Sequence, residues 1–122
     1  MPTVLVVDEE RAECGKLRAA CEDAGFAMMW AESVAEAVGC VQQQAPAAIL
    51  VAGAKPGDES GKTVSLLRRN PRTGSIPLVL LCEPNGNSLV EGWNSDADMV
   101  LEKPVDPVEL FTVIRHLMAA PR

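Results

Sequence analysis

Tyrosine is absent from this 122-residue chain, and two Trp and two Phe make up its whole aromatic content of 3%. Any core must therefore be built from branched aliphatic side chains rather than from rings. Positive charge is in deficit, with 11 Lys and Arg against 17 Asp and Glu and a formal net charge of −6. Phosphate backbones demand a basic face, so a nucleic-acid surface is excluded. No apolar run reaches the length of a membrane span, and no basic segment precedes an apolar one at the N-terminus. The expectation is a cytoplasmic domain with no membrane partner. Histidine occurs once, as His116, and Cys14, Cys21, Cys40 and Cys82 are not at metal-ligand spacing, which argues against zinc. Cys14, Leu17 and Cys21 share one helical stripe and read as small buried hydrophobes rather than disulfide partners. His116 reads as a solvated helix residue.

What is present is an ordinary folded composition, 48% hydrophobic and 23% charged, over a length suited to one domain, residues 1–122. Short β-branched runs alternate with stretches of helical period. Thr3 to Val7 (TVLVV) has the unbroken apolar character of a strand buried on both faces. Arg11 to Ala24 follows with helical spacing and is closed by Gly25. Ala27 to Ala31 is a weaker strand, and Ser33 with Glu36 forms a capping box that opens a helix to about Gln44. Ala48 to Ala52 is the third strand, Lys55-Pro56-Gly57 a turn, and Ser60 to Arg69 a helix stopped by Asn70-Pro71. Ile76 to Leu81 is the fourth strand. The turn-rich stretch Glu83–Ser88 leaves room for a short helix over 88–93. Met99 to Leu101 is the fifth strand, and Asp106-Pro107-Val108-Glu109 opens the last helix with an N-cap, an N1 proline and an N3 acid.

Five such units predict an α/β fold with a parallel sheet and right-handed crossovers, in which ligands bind beyond the carboxyl ends of the strands. Those ends carry Asp8 and Glu9, then Ala52 and Gly53, then Cys82, then Lys103. With VVDEE, PAAILVAGAKPG, IPLVLLCE and MVLEKPVDPVEL in this order, the chain resembles the receiver domains of bacterial two-component response regulators. The resemblance covers essentially the whole chain. It implies a doubly wound, CheY-like flavodoxin-type (βα)5 fold with strand order 2-1-3-4-5. It further implies an acidic pair that holds Mg²⁺, a nucleophilic aspartate on the third strand, a hydroxyl on the fourth and a lysine on the fifth. The types suit the chemistry: a carboxylate attacks a phosphoryl group, a metal neutralises its oxygens, and a lysine stabilises the product anion.

Residue by residue, the resemblance maps Asp8 and Glu9 onto the acidic pair and Lys103 onto the lysine. It maps Ala52 onto the acceptor, Cys82 onto the hydroxyl and Val100 onto the aromatic switch. A methyl group accepts no phosphate, so the pattern implies a degenerate pseudo-receiver that is not an enzyme. Asp8 and Glu9 alone are a poor set for Mg²⁺, which prefers ordered octahedral oxygen ligands; no cofactor is expected. Lys103 then serves as an ion-pair partner to the leftover acids. Trp93 and Trp30 are candidate interface residues, since tryptophan is enriched at interface hot spots; burial against the sheet is the alternative.

The leading expectation is a phosphorylation-independent interaction module that engages signalling or cell-organisation proteins, as a monomer or weak homodimer, with room for an output domain in the same polypeptide. One alternative is a switch with displaced chemistry, by phosphorylation or oxidation at Asp58, Glu9 or Cys82. Another is a small-molecule binding domain. It ranks last, because bulky Asp8-Glu9-Glu10-Arg11 stand where a glycine-rich phosphate loop would follow the first strand.

Overall fold

The structure is a computed structural model and describes residues 2–8, 14–54, 60–82, 97–102 and 105–119. In chain order the elements are β1 (Thr3–Val7), α1 (Cys14–Asp23), β2 (Ala27–Ala31), α2 (Val34–Gln43), β3 (Ala48–Ala54), α3 (Ser60–Arg69), β4 (Leu78–Cys82), β5 (Met99–Glu102) and α4 (Pro107–Ala119). All strand pairs are parallel and the order is β2-β1-β3-β4-β5. This is the doubly wound α/β fold that the alternation and the resemblance together predict.

Side chains alternate across a strand, so a strand covered on both faces must be apolar at every position. All five residues of β1 are buried. Leu5, Val7, Ile49, Val51, Leu78 and Leu80 face one side, where they pack with Ala37 and Val41 of α2 and Val64 and Leu67 of α3. Val4, Val6, Ala48, Leu50, Val79 and Leu81 face the other, with Cys21 of α1 and Leu110, Phe111 and Ile114 of α4. Among the described residues, two helices thus cover each face. Rings enter this face where Phe26 stacks on Phe111 with centroids 5.5 Å apart.

The helix ends follow local chemistry. At the end of α1, Phe26 N–H donates to Cys21 C=O (2.8 Å) and Gly25 N–H to Glu22 C=O (3.1 Å), while Gly25 takes φ +88°. This crossed pair of bonds is a Schellman motif, which needs a residue tolerant of left-handed backbone. Asp106 caps α4, its Oδ1 accepting from Val108 N–H at 2.9 Å. Ser33 Oγ accepts from Glu36 N–H at 3.2 Å, as predicted. The reciprocal half of the box differs: the Glu36 carboxylate accepts from Glu32 N–H, 2.5 Å away, one residue before the cap.

Bounds of three strands also differ, β4 among them at both ends, since it closes at Cys82 rather than Leu81. β4 begins at Leu78 rather than Ile76, because Ile76 N–H is spent on a turn bond to Thr73 C=O and Pro77 has no N–H to give. β3 runs on past Ala52 to Ala54, and β5 past Leu101 to Glu102. Helix α1 is described from Cys14, so the predicted turn over 11–13 lies outside the described residues, as do the 55–57 turn and the helix over 88–93.

Candidate functional site

The parallel register decides which residues share the carboxyl edge of the sheet. Val7 pairs with Ala31 on one side and Val51 on the other, and Val51 pairs with Leu80. Residues 8 and 52 are therefore the next positions on adjacent central strands, and Cys82 ends the neighbouring strand opposite Glu102. Asp8 is 4% exposed, and its N–H donates to Ala31 C=O at 3.0 Å, which fixes the backbone just beyond β1.

Pairing of β3 with β4 shifts at this edge. Val51 faces Leu80 but Ala54 faces Cys82, so Ala52 and Gly53 together span one residue of β4. Such a bulge bends its strand and re-aims the residues it carries, and bulges concentrate next to functional sites. Sequence reasoning missed it; Gly53, placed just after the apolar run, was the available signal.

Of the predicted site residues, Asp8, Ala52 and Cys82 come together at the strand ends by register. Val100 lies inside β5 opposite Leu80, half-buried and packed against the core on the α2–α3 side. Trp30 lies in β2 opposite Val6, half-buried against the core on the α1–α4 side. Its ring therefore belongs in large part to the packing of the sheet. Glu9, Asp58, Trp93 and Lys103 lie outside the described residues. His116 is exposed on α4, in accord with its reading as a solvated residue.

Cys21 and Cys40 are free and sit on opposite faces of the sheet, so they do not pair with each other. Burial pushes the Cys21 thiol up to about 11; the charge of Glu22 acts in the same direction and that of Arg18 opposes it. A group held so high stays protonated and unreactive at neutral pH.

As for metal ligands, position 52 supplies a methyl group, and among the described residues no three His, Cys, Asp or Glu side chains converge. Asp8 is the buried carboxylate described at this edge, while Glu32 beyond β2 and Glu102 at the end of β5 are exposed.

Residues 4–115 match the model of the response regulator receiver domain. The chain belongs to that family. It is a receiver-domain signalling protein. The receiver is 28% identical over 120 residues to the protein PilH of Pseudomonas aeruginosa, covering 98% of this chain and 99% of PilH. It is 29% identical over 119 residues to the response regulator Rre1 of Synechocystis, covering 96% of this chain but 52% of Rre1. The chain thus spans about half the length of several curated relatives that it matches. A crystal structure of a response regulator from Chloroflexus aurantiacus superposes with a TM-score of 0.83 at 25% identity, over 98% of this chain and all of that one. No helix among the described residues is long and apolar enough to cross a membrane.

Proposed function

We propose that this receiver acts as a phosphorylation-independent protein-interaction module, a pseudo-receiver in a two-component-type pathway. One observation carries the reading: the position beside Asp8 at the carboxyl end of the central strands is Ala52, and a methyl group has no oxygen with which to attack a phosphoryl group. Two further features support it. Val100 is a β-branched aliphatic residue packed into the core, with no ring to rearrange. Cys82 closes β4 where the family pattern has a hydroxyl. With no third carboxylate, Asp8 and Glu9 repel one another less than a full acidic cluster would, and Lys103 can neutralise them. The site is then a static electrostatic patch, and Mg²⁺ has no role in it.

Partners are signalling or cell-organisation proteins that read the fold in its single state, and Trp93 is the residue proposed to contact them. Intact-mass measurement after incubation with a small-molecule phosphodonor and Mg²⁺ tests the chemistry. The expected result is an unchanged mass, and a hydroxylamine-sensitive adduct of one phosphoryl group would overturn the proposal. Affinity capture with the wild type and with Trp93→Ala tests the surface: one specific partner is lost in the variant, and an unchanged partner set removes Trp93 from the interface.

A further inference from the structure

β5 is the least secured strand of the sheet. It has four residues, both its end residues are exposed, and among the described residues it pairs with β4 alone. A short edge strand with one partner has few ladder bonds and little buried area, so it opens at lower free energy than the central strands. Its start, however, is held by a polar network at the amino end of the sheet. Asp98 N–H donates to Leu78 C=O at 2.8 Å, and Leu78 N–H donates back to Asp98 Oδ2 at 2.7 Å. The same Oδ2 meets Arg68 Nη2 at 2.5 Å. Through Nη1, Arg68 also donates to Gly74 C=O (3.2 Å) and Ile76 C=O (3.1 Å). One guanidinium on α3 therefore joins the approach to β4 and the approach to β5.

The network is well placed to be strong. Arg68 and Asp98 side chains are 14% and 21% exposed, so solvent screens them only in part. The planar guanidinium directs its donors along fixed lines, which a lysine ammonium cannot reproduce. Gly74 is required for the same reason: a Cβ there would stand 2.7 Å from Arg68 C=O and 3.1 Å from Asn70 C=O. Close approach of this turn to the end of α3 is what brings the Gly74 carbonyl within reach of Nη1.

We infer that Arg68 and Asp98 form a latch that holds β5 on the sheet, so that the strand carrying Val100 stays docked while other short edge strands would exchange with an open form. The latch lies at the opposite end of β5 from the acidic edge and does not depend on the chemistry at residue 52. Failure of either idea leaves the other standing.

Native-state amide hydrogen exchange on the whole chain tests it. In Asp98→Ala, amides of β5 (Met99–Glu102) are expected to exchange at least about tenfold faster relative to those of β1 than they do in the wild type. Asp98→Asn keeps an acceptor for Leu78 N–H and loses the ion pair, so it should fall between the two. Arg68→Lys keeps the charge and the helix and supplies the same comparison if Asp98→Ala fails to fold. Faster exchange confined to β5 and its approach supports the latch. An equal loss of protection in β1 and β5 would overturn it by reducing the network to general stability, and unchanged protection in all variants would overturn it as well.

Discussion

Two glycines show how different single-residue demands can be. Gly25 has φ +88° and open space where a Cβ would go, so its requirement is purely conformational. Gly25→Ala should cost about 1 kcal/mol, the usual price of left-handed backbone for an L-residue. Gly74 takes an ordinary φ but is sterically closed, by backbone atoms that cannot step aside. Gly74→Ala should cost more, roughly 1–3 kcal/mol, because the turn must move and the Arg68 bonds with it; urea midpoints of the two variants rank them. Cys21 supplies a pH dependence. Its thiol is raised from 9.0 to about 11 in the folded chain, so between those values the folded state binds more protons than the unfolded. Stability is therefore intact below pH 9 and declines as pH rises toward about 11, by roughly 2–3 kcal/mol in all. Denaturation at pH 8 and pH 10.5 should show the decline in the wild type and a smaller one in Cys21→Ala.

At the scale of the element, the end of α1 and the starts of α2 and α4 are set by one or two hydrogen bonds that local sequence specifies. Ser33→Ala removes the acceptor for Glu36 N–H and should lower stability by about 1 kcal/mol, read from the urea midpoint. Its loss is partly offset, because Glu36 still accepts from Glu32 N–H. Helix α4 is tied to the end of α1 by a longer-range device: Arg115 donates to Ala24 C=O at 2.5 Å and lies 5.6 Å from the Phe26 ring centroid. The carbonyl it takes sits at the C-terminus of α1, where positive charge complements the helix dipole. A lysine at 115 would retain that charge and lose the planar stacking.

For the molecule as a whole, the proposed single-state site leads to one expectation. On the proposed reading, with residue 52 the missing acceptor, phosphoryl transfer does not change the charge at the acidic edge and so does not drive the fold into a second state. The thermal midpoint should therefore be the same with and without phosphodonor and Mg²⁺; a rise specific to the donor would mean that another residue accepts the group. Stability is also expected to be uneven, higher in β1, β3 and β4, which have strand partners on both sides, and lowest at the edges of the sheet.

Much of this architecture was legible in the chain itself, because the rules involved are local or periodic. Alternating apolar runs marked β1 to β5, Asp106-Pro107 marked the start of α4, and Gly25 marked the end of α1; each depends on a few neighbouring residues and on backbone sterics. The residue types at 8, 52, 82, 100 and 103 were likewise plain from the resemblance. Three features were decided by tertiary structure. The start of β4 lies at Leu78 because Ile76 gives its N–H to Thr73 C=O while its own C=O accepts from Arg68. The bulge at Ala52–Gly53 exists only as a mismatch between two paired strands. The latch joins residues 30 apart in sequence, Arg68 and Asp98. Hydrophobic period and capping are written into short segments, whereas register and polar networks come into being when distant segments meet, and for that reason only the folded chain displays them.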